Sequence, residues 1–247
     1  MNIVIPMAGF GSRFAQSGFT LPKPLIKVGE KPMYRQAIDC LPLNLATNLI
    51  FILRSDENFQ SLATDIRENY SHLSNLTILE LDKPTEGQAE TVLKSARYLK
   101  LNEPTLVHNC DTLIEEDFNW KEISKDRTID GAIVLFNSTE PRWSFAKLDS
   151  LNTAIIDFQE KVVISNHAST GTYFFSDTNQ LLKDIEQTIK QNLRQNNEFY
   201  LSTIYQLMLK NNKKIKPLWT KKMRCFGTPK DLVDSLNLML LGTRDFE

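Results

Sequence analysis

Two short stretches of the chain hold residue types suited to gripping a polyphosphate. The first is Pro6-Met7-Ala8-Gly9-Phe10-Gly11-Ser12-Arg13. It leaves an apolar run, turns through two glycines and ends on a guanidinium. Glycine bends freely and carries no Cβ to hold a phosphate off. The amides of such a turn can converge on an anion, and Arg13 can clamp phosphate oxygens two at a time. The third glycine of the dinucleotide fingerprint would fall at position 14, where Phe14 stands, and no Gly-Lys-Ser/Thr follows. A dehydrogenase loop and a Walker loop are thereby disfavoured. Alone, the motif is equally compatible with a plain strand–turn–helix connection.

The second stretch is Leu21-Pro22-Lys23-Pro24-Leu25. Proline fixes its own φ and pushes the residue before it to extended geometry. Lys23 is thus mounted on a stiff stem, which suits a cation that must meet developing negative charge without reorganising. Between positions 11 and 37 the basic residues are Arg13, Lys23, Lys27, Lys31 and Arg35, against the single acid Glu30. That local surplus fits a polyphosphate ligand.

Two further groups carry candidate chemistry. Thr85-Glu86-Gly87-Gln88 enters a helical pattern. Gly87 would let a flat base stack on the backbone, and the Gln88 amide offers a donor and an acceptor to a base edge. Gln88 could instead close a capping box with Thr85. Asp111, after His108-Asn109-Cys110, ends an apolar run. A carboxylate at that place lies where open α/β sheets bind ligands. It is a hard oxygen donor suited to Mg²⁺ shared with phosphates. A turn or N-cap aspartate is the plain alternative. Asn109 could orient Asp111, His108 reads as a packed strand residue, and Cys110 as a small filler.

The elements that must position these groups follow from patterning. Apolar runs at 2–6, 48–53, 76–81, 105–108 and 131–136 predict strands. Ala89, Val92, Leu93 and Ala96 predict one face of a helix over 88–99. Strands alternating with helical patterns predict an α/β fold: a Rossmann-like, mixed, mostly parallel sheet with helices on both faces. Beyond about residue 136 the expected pieces are strands at 143–148, 153–158 and 172–176, then helices near 179–193 and 199–210. Thr228, Pro229 and Asp231 predict a capped helix start, with Leu232, Val233, Leu236 and Leu240 along one face. One domain is expected over 1–247, with a nucleotide-binding half (1–136) and an acceptor-binding half (137–247).

Composition is that of a globular chain: 247 residues, 41% hydrophobic and 24% charged. A net charge of −1 argues against an electrostatic grip on nucleic acid or an anionic membrane. No apolar run approaches the roughly 20 residues that span a bilayer. The start, MNIVIPMAGFGS, lacks a basic region and meets glycine early, so no signal peptide is expected. Cys40, Cys110 and Cys225 show no metal or redox spacing, and a reducing cytoplasm is the expected compartment.

The motif PMAGFGSRF, a short spacer and then PKPLIKVGEKPM resembles the signature of the sugar-nucleotidyltransferase (NTP-transferase) family. Within it the chain is most similar to small capsule-locus cytidylyltransferases. The resemblance implies the family's fold and a transfer of a nucleoside monophosphate, CMP from CTP, to a phosphorylated small molecule. Pyrophosphate leaves, Mg²⁺ assists, and capsule or surface-polysaccharide biosynthesis is the setting. It implies that Gly9, Gly11 and Arg13, with Ala8 and Ser12 of the same loop, hold the triphosphate. Lys23 would meet the α-phosphate, and Gly87 and Gln88 the base. Lys161 would hold the acceptor phosphate, with Glu160 and Gly171 beside it. The family often places a second metal aspartate just before a Gly-Thr-Pro segment. Here Cys225 occupies that place, before Phe226-Gly227-Thr228-Pro229. Three rivals stand beside this: a glycosyltransferase of related fold, a non-catalytic nucleotide-binding protein, and a transferase using a sugar 1-phosphate. Neither the acceptor nor the oligomeric state follows from the residues, and a homo-oligomer is compatible with them.

Overall fold

The computed structural model describes residues 1–240 of the chain. In chain order, strand β1 (Asn2–Pro6) leads to helix α1 (Ser12–Gln16), the short hairpin β2 (Lys27–Val28) and β3 (Lys31–Pro32), and helix α2 (Met33–Ile38). Strand β4 (Asn48–Arg54), helix α3 (Glu57–Tyr70), strand β5 (Leu76–Leu81), helix α4 (Gln88–Lys94) and strand β6 (Thr105–His108) follow. Next come strand β7 (Thr112–Ile114), helix α5 (Trp120–Ile123), strand β8 (Gly131–Asn137), the hairpin β9 (Ser144–Leu148) and β10 (Ile155–Glu160), and the long strand β11 (His167–Phe175). Helices α6 (Thr178–Lys190) and α7 (Leu201–Lys210), strands β12 (Ile215–Trp219) and β13 (Met223–Cys225), and helix α8 (Pro229–Leu240) complete the described chain.

A nine-stranded sheet carries the molecule. Its N-terminal core is parallel, β5-β4-β1-β6. Strand β11 returns antiparallel between β6 and β8. Strand β12 runs parallel to β8, and the β9–β10 hairpin attaches to the early end of β11. This is the mixed, mostly parallel sheet expected. Alternation along each strand explains why both faces are covered. Ile3, Ile5, Leu49, Phe51 and Leu53 face one apolar layer with Tyr34 of α2 and Leu62 and Ile66 of α3. Val4, Ile50 and Ile52 face the other, with Val92 of α4, Ile185 of α6 and Tyr205 of α7. Burial on both sides is why these strands read as unbroken apolar runs.

A third cluster matters most for the site. Phe14, Ile26, Val28, Met33, Phe226 and Leu232 join the loop after β1 to the start of α8. The two ends of the described chain thereby clamp the Gly9–Lys23 region from below.

Some expectations needed correction. Helix α4 stops at Lys94 and passes into a 3₁₀ turn, Ala96–Tyr98, so the pattern over 88–99 spans two elements. The capping box of Thr85 and Gln88 does not form. Instead Glu90 Oε2 accepts the Glu86 amide at 2.7 Å, and the Gln88 side chain points elsewhere. In α8, Asp231 N donates to Thr228 Oγ1 at 3.1 Å, as the cap requires. Its buried face, however, is Leu232, Leu236 and Met239, while Val233 and Leu240 are exposed. Strand β12 had no sequence signal because Lys216 and Pro217 interrupt it. It sits at a sheet edge, where a missing N–H is tolerated.

Candidate active site

The glycine loop, the Pro-Lys-Pro lysine, the Gly87 turn and the end of β6 line one cleft of about 550 Å³. Ala8, Gly9, Gly11, Ser12, Arg13, Lys23, Gly87, Gln88 and Asp111 all border it. Glu160, Lys161 and Gly171 do not.

The floor is an ion pair between residues 88 apart: Lys23 Nζ donates to Asp111 Oδ2. Local backbone geometry brings it about. Gly11 adopts φ +62, and a Cβ there would lie 3.0 Å from the Cβ of Lys23. The glycine therefore lets the lysine stem run against the loop. Phe14, buried below, lies with its ring centroid 5.7 Å from Nζ. Gly9 has no atom within 4 Å of where a Cβ would stand, so its open side is cleft. Arg13 is exposed at the rim. Burial disfavours the Lys23 charge, yet the Asp111 carboxylate outweighs this and holds its pKa above the ordinary lysine value. Burial likewise opposes ionised Asp111, and the Lys23 ammonium overcomes it, so the carboxyl titrates below its usual range. Both charges persist through neutral pH.

His108 supports this floor from beneath. It is fully buried, and burial lowers its pKa to about 4. A carbonyl can only accept, so Nε2–H donates to the Thr112 carbonyl at 2.8 Å, and Nδ1 accepts from Thr172 Oγ1 at 2.8 Å. The neutral ring thus ties β6 to β7 and β11 around Asp111.

The wall opposite the loop is the Gly87–Gln88 turn. A Cβ on Gly87 would lie 2.4 Å from Phe199 N and 2.5 Å from Phe199 O. Phe199 N donates to Glu86 O at 2.8 Å, and Ala89 N to Phe199 O at 2.9 Å. The glycine is therefore required by a neighbouring backbone, a reason the sequence alone did not reveal. Its partner segment presents Glu198 and Tyr200 to the cleft. Gln88 Nε2 donates to Asn109 Oδ1 at 2.7 Å.

The three residues expected on the acceptor side lie apart from this cleft. Glu160 is buried, its Oε2 accepting from Ser144 Oγ and, at 2.8 Å, from Ser202 Oγ. Gly171 lies beneath Asn109. Lys161 reaches the cleft edge indirectly, with Nζ 2.9 Å from Tyr200 Oη. Burial opposes its charge, and the Tyr200 hydrogen bond more than restores it. Tyr200 and Asn109 are lining residues to which the sequence reading gave no firm role. The aromatic run Glu198-Phe199-Tyr200 was the available signal for the first.

Among the described residues, no three His, Cys, Asp or Glu groups are placed to hold a metal ion by themselves. Cys225, at the position of the missing acid, is a neutral thiol, pushed up to about 12 by burial and by Asp111 and Asp231. The Asp231 carboxylate is engaged by Arg142 Nη1 at 2.6 Å and Thr228 Oγ1 at 2.7 Å. Asp111, with one oxygen held by Lys23, leaves a single carboxylate on the cleft floor, which is compatible with Mg²⁺, a cation that draws most of its ligands from phosphates and water.

Known proteins resemble this chain closely. A nucleoside-diphosphate-sugar pyrophosphorylase from Vibrio cholerae RC9 shares 27% identity and superposes with a TM-score of 0.84, covering 95% of this chain and 99% of that one. A UDP-glucose pyrophosphorylase bound to UDP-glucose has a TM-score of 0.79 over 98% of this chain and 99% of its own, at 18% identity, and shows the fold alone. Mannose-1-phosphate guanyltransferase from Candida albicans is 28% identical over 187 residues, 71% of this chain and 50% of that protein. The chain spans about half the length of the curated relatives it matches. The family model described as nucleotidyl transferase matches residues 3–239, and the chain belongs to that family.

Proposed function

We propose that the chain transfers a nucleoside monophosphate from an NTP to a phosphorylated small molecule and releases pyrophosphate. The observation that carries this is the Lys23–Asp111 pair on the floor of a cleft walled by the Gly9–Arg13 loop. An acceptor phosphate oxygen attacks the α-phosphorus. The bond from that phosphorus to the β-phosphate oxygen breaks, and pyrophosphate leaves. The nucleophile is already ionised, so no strong general base is needed. The protein supplies position and charge. Lysine has three N–H donors, so Lys23 can keep one on Asp111 and turn the others to the α-phosphate. Arg13 and the loop amides hold the outer phosphates. A divalent cation such as Mg²⁺, with Asp111 as its protein ligand, would neutralise phosphate charge when bound.

The donor proposed is CTP, on the resemblance to capsule-locus cytidylyltransferases, with a product destined for surface polysaccharide. The relatives' names, mannose-1-phosphate guanyltransferase and nucleoside-diphosphate-sugar pyrophosphorylase, favour a sugar phosphate as acceptor, and the first favours a different base in the donor. A matrix of four NTPs against sugar 1-phosphates and alcohol or amino-acid phosphates, read by pyrophosphate release, separates these. Pyrophosphate that requires both substrates, with CTP the best donor, is expected. A purine preference would overturn the CTP assignment while leaving the reaction class standing.

A further inference from the structure

Asn109 stands two residues before Asp111, where β6 ends. Its amide N donates to the Gly171 carbonyl at 3.1 Å, which pins its backbone to β11. Its side chain fills the space that Gly171 leaves open. A Cβ on residue 171 would lie 2.0 Å from Asn109 Nδ2 and 2.6 Å from Cγ. Gly171 has φ +84, and the pairing of β11 with β8 shifts register between Ser169 and Tyr173. Asn109's side chain thus sits against β11 at its irregular stretch, where residue 171 has no side chain. From that seat Oδ1 accepts the hydrogen bond from Gln88 Nε2, and both amides line the cleft.

A free glutamine can turn its amide over and offer donor or acceptor interchangeably. Gln88 cannot turn alone, because its Oε1 would then face Asn109 Oδ1. One N–H is spent on Asn109. The order of the remaining N–H and carbonyl, as seen by a nucleobase, is thereby coupled to the orientation of the Asn109 amide.

We infer that Asn109 is a positioning residue that holds the Gln88 amide and couples its orientation to its own, so that base discrimination depends on it, and that Gly171 serves this by making room. The inference rests on Gln88 facing the base, as proposed above. It gives Gly171, which does not itself border the cleft, a part in supporting the base wall rather than the acceptor.

The test is calorimetric binding of four non-hydrolysable NTP analogues to the full chain and to Asn109→Ala, Gly171→Ala and Asn109→Asp, with thermal unfolding of each. Asn109→Ala and Gly171→Ala are expected to shrink the affinity ratio of best to next-best nucleotide by about tenfold, the worth of one hydrogen bond. Asn109→Asp offers only acceptors, so it keeps the wild-type order of preference. A folded Asn109→Ala with the wild-type ratio overturns the inference, whether or not Gly171→Ala folds. Wild-type protein that binds no nucleotide overturns the base pocket itself, and this inference with it.

Discussion

Lys23 and Asp111 neutralise each other across the cleft floor, and each keeps hydrogen-bonding capacity for a further partner. Asp111→Asn removes the charge and nearly preserves the shape. Turnover should fall by about 10²–10³, the usual cost of one preorganised electrostatic group, and the melting temperature should drop as well, because the mostly buried Lys23 ammonium loses its counter-charge. Pyrophosphate release with and without added divalent ion, alongside a thermal melt, checks both. Near-wild-type turnover would remove Asp111 from the chemistry. The lysine was legible in the sequence because two prolines frame it. Its pairing with Asp111 was not, since no periodicity links positions 88 residues apart.

At the scale of elements, the turn entering α4 is the most constrained feature of the cleft. Gly87→Ala would drive a methyl group into the Phe199 backbone from a φ of +140. Something must shift, and we expect a loss of about 2–4 kcal/mol in stability, with faster hydrogen exchange at the Phe199 and Ala89 amides. A variant that unfolds in urea like wild type would show that the contact is dispensable. The parallel strands were legible because burial on both faces leaves runs of apolar residues. The helix over 88–99 was read too long, since its apolar positions continue onto a 3₁₀ turn that keeps the same face covered. The short pair β7 and β13, joined from Leu113 to Arg224, had no signal, because three-residue strands carry too little pattern.

At the scale of the whole molecule, one sheet carries both halves of the chain, and His108 is a buried fastener between them. Its folded pKa, about 4, lies below the ordinary 6.5. As pH falls below 6.5 the unfolded chain takes a proton that the folded chain refuses until about 4. Its share of stability is therefore complete above 6.5 and lost as pH falls through that window. Wild type should lose about 2–3 kcal/mol more than His108→Gln between pH 7 and 4. Denaturant unfolding at the two pH values measures this, and parallel losses would contradict it. His108 was read correctly as a packed residue, but its hydrogen bonds to Thr112 and Thr172 needed the fold.

The central claim is that nucleotidyl transfer takes place at Lys23. The measurement that tests it most directly is steady-state pyrophosphate release by wild type and Lys23→Ala, with the best NTP and acceptor and with circular dichroism on both. A loss in kcat of about 10²–10³ in a folded variant is expected, for want of one preorganised donor in the transition state. A folded Lys23→Ala within a few-fold of wild type would contradict the account.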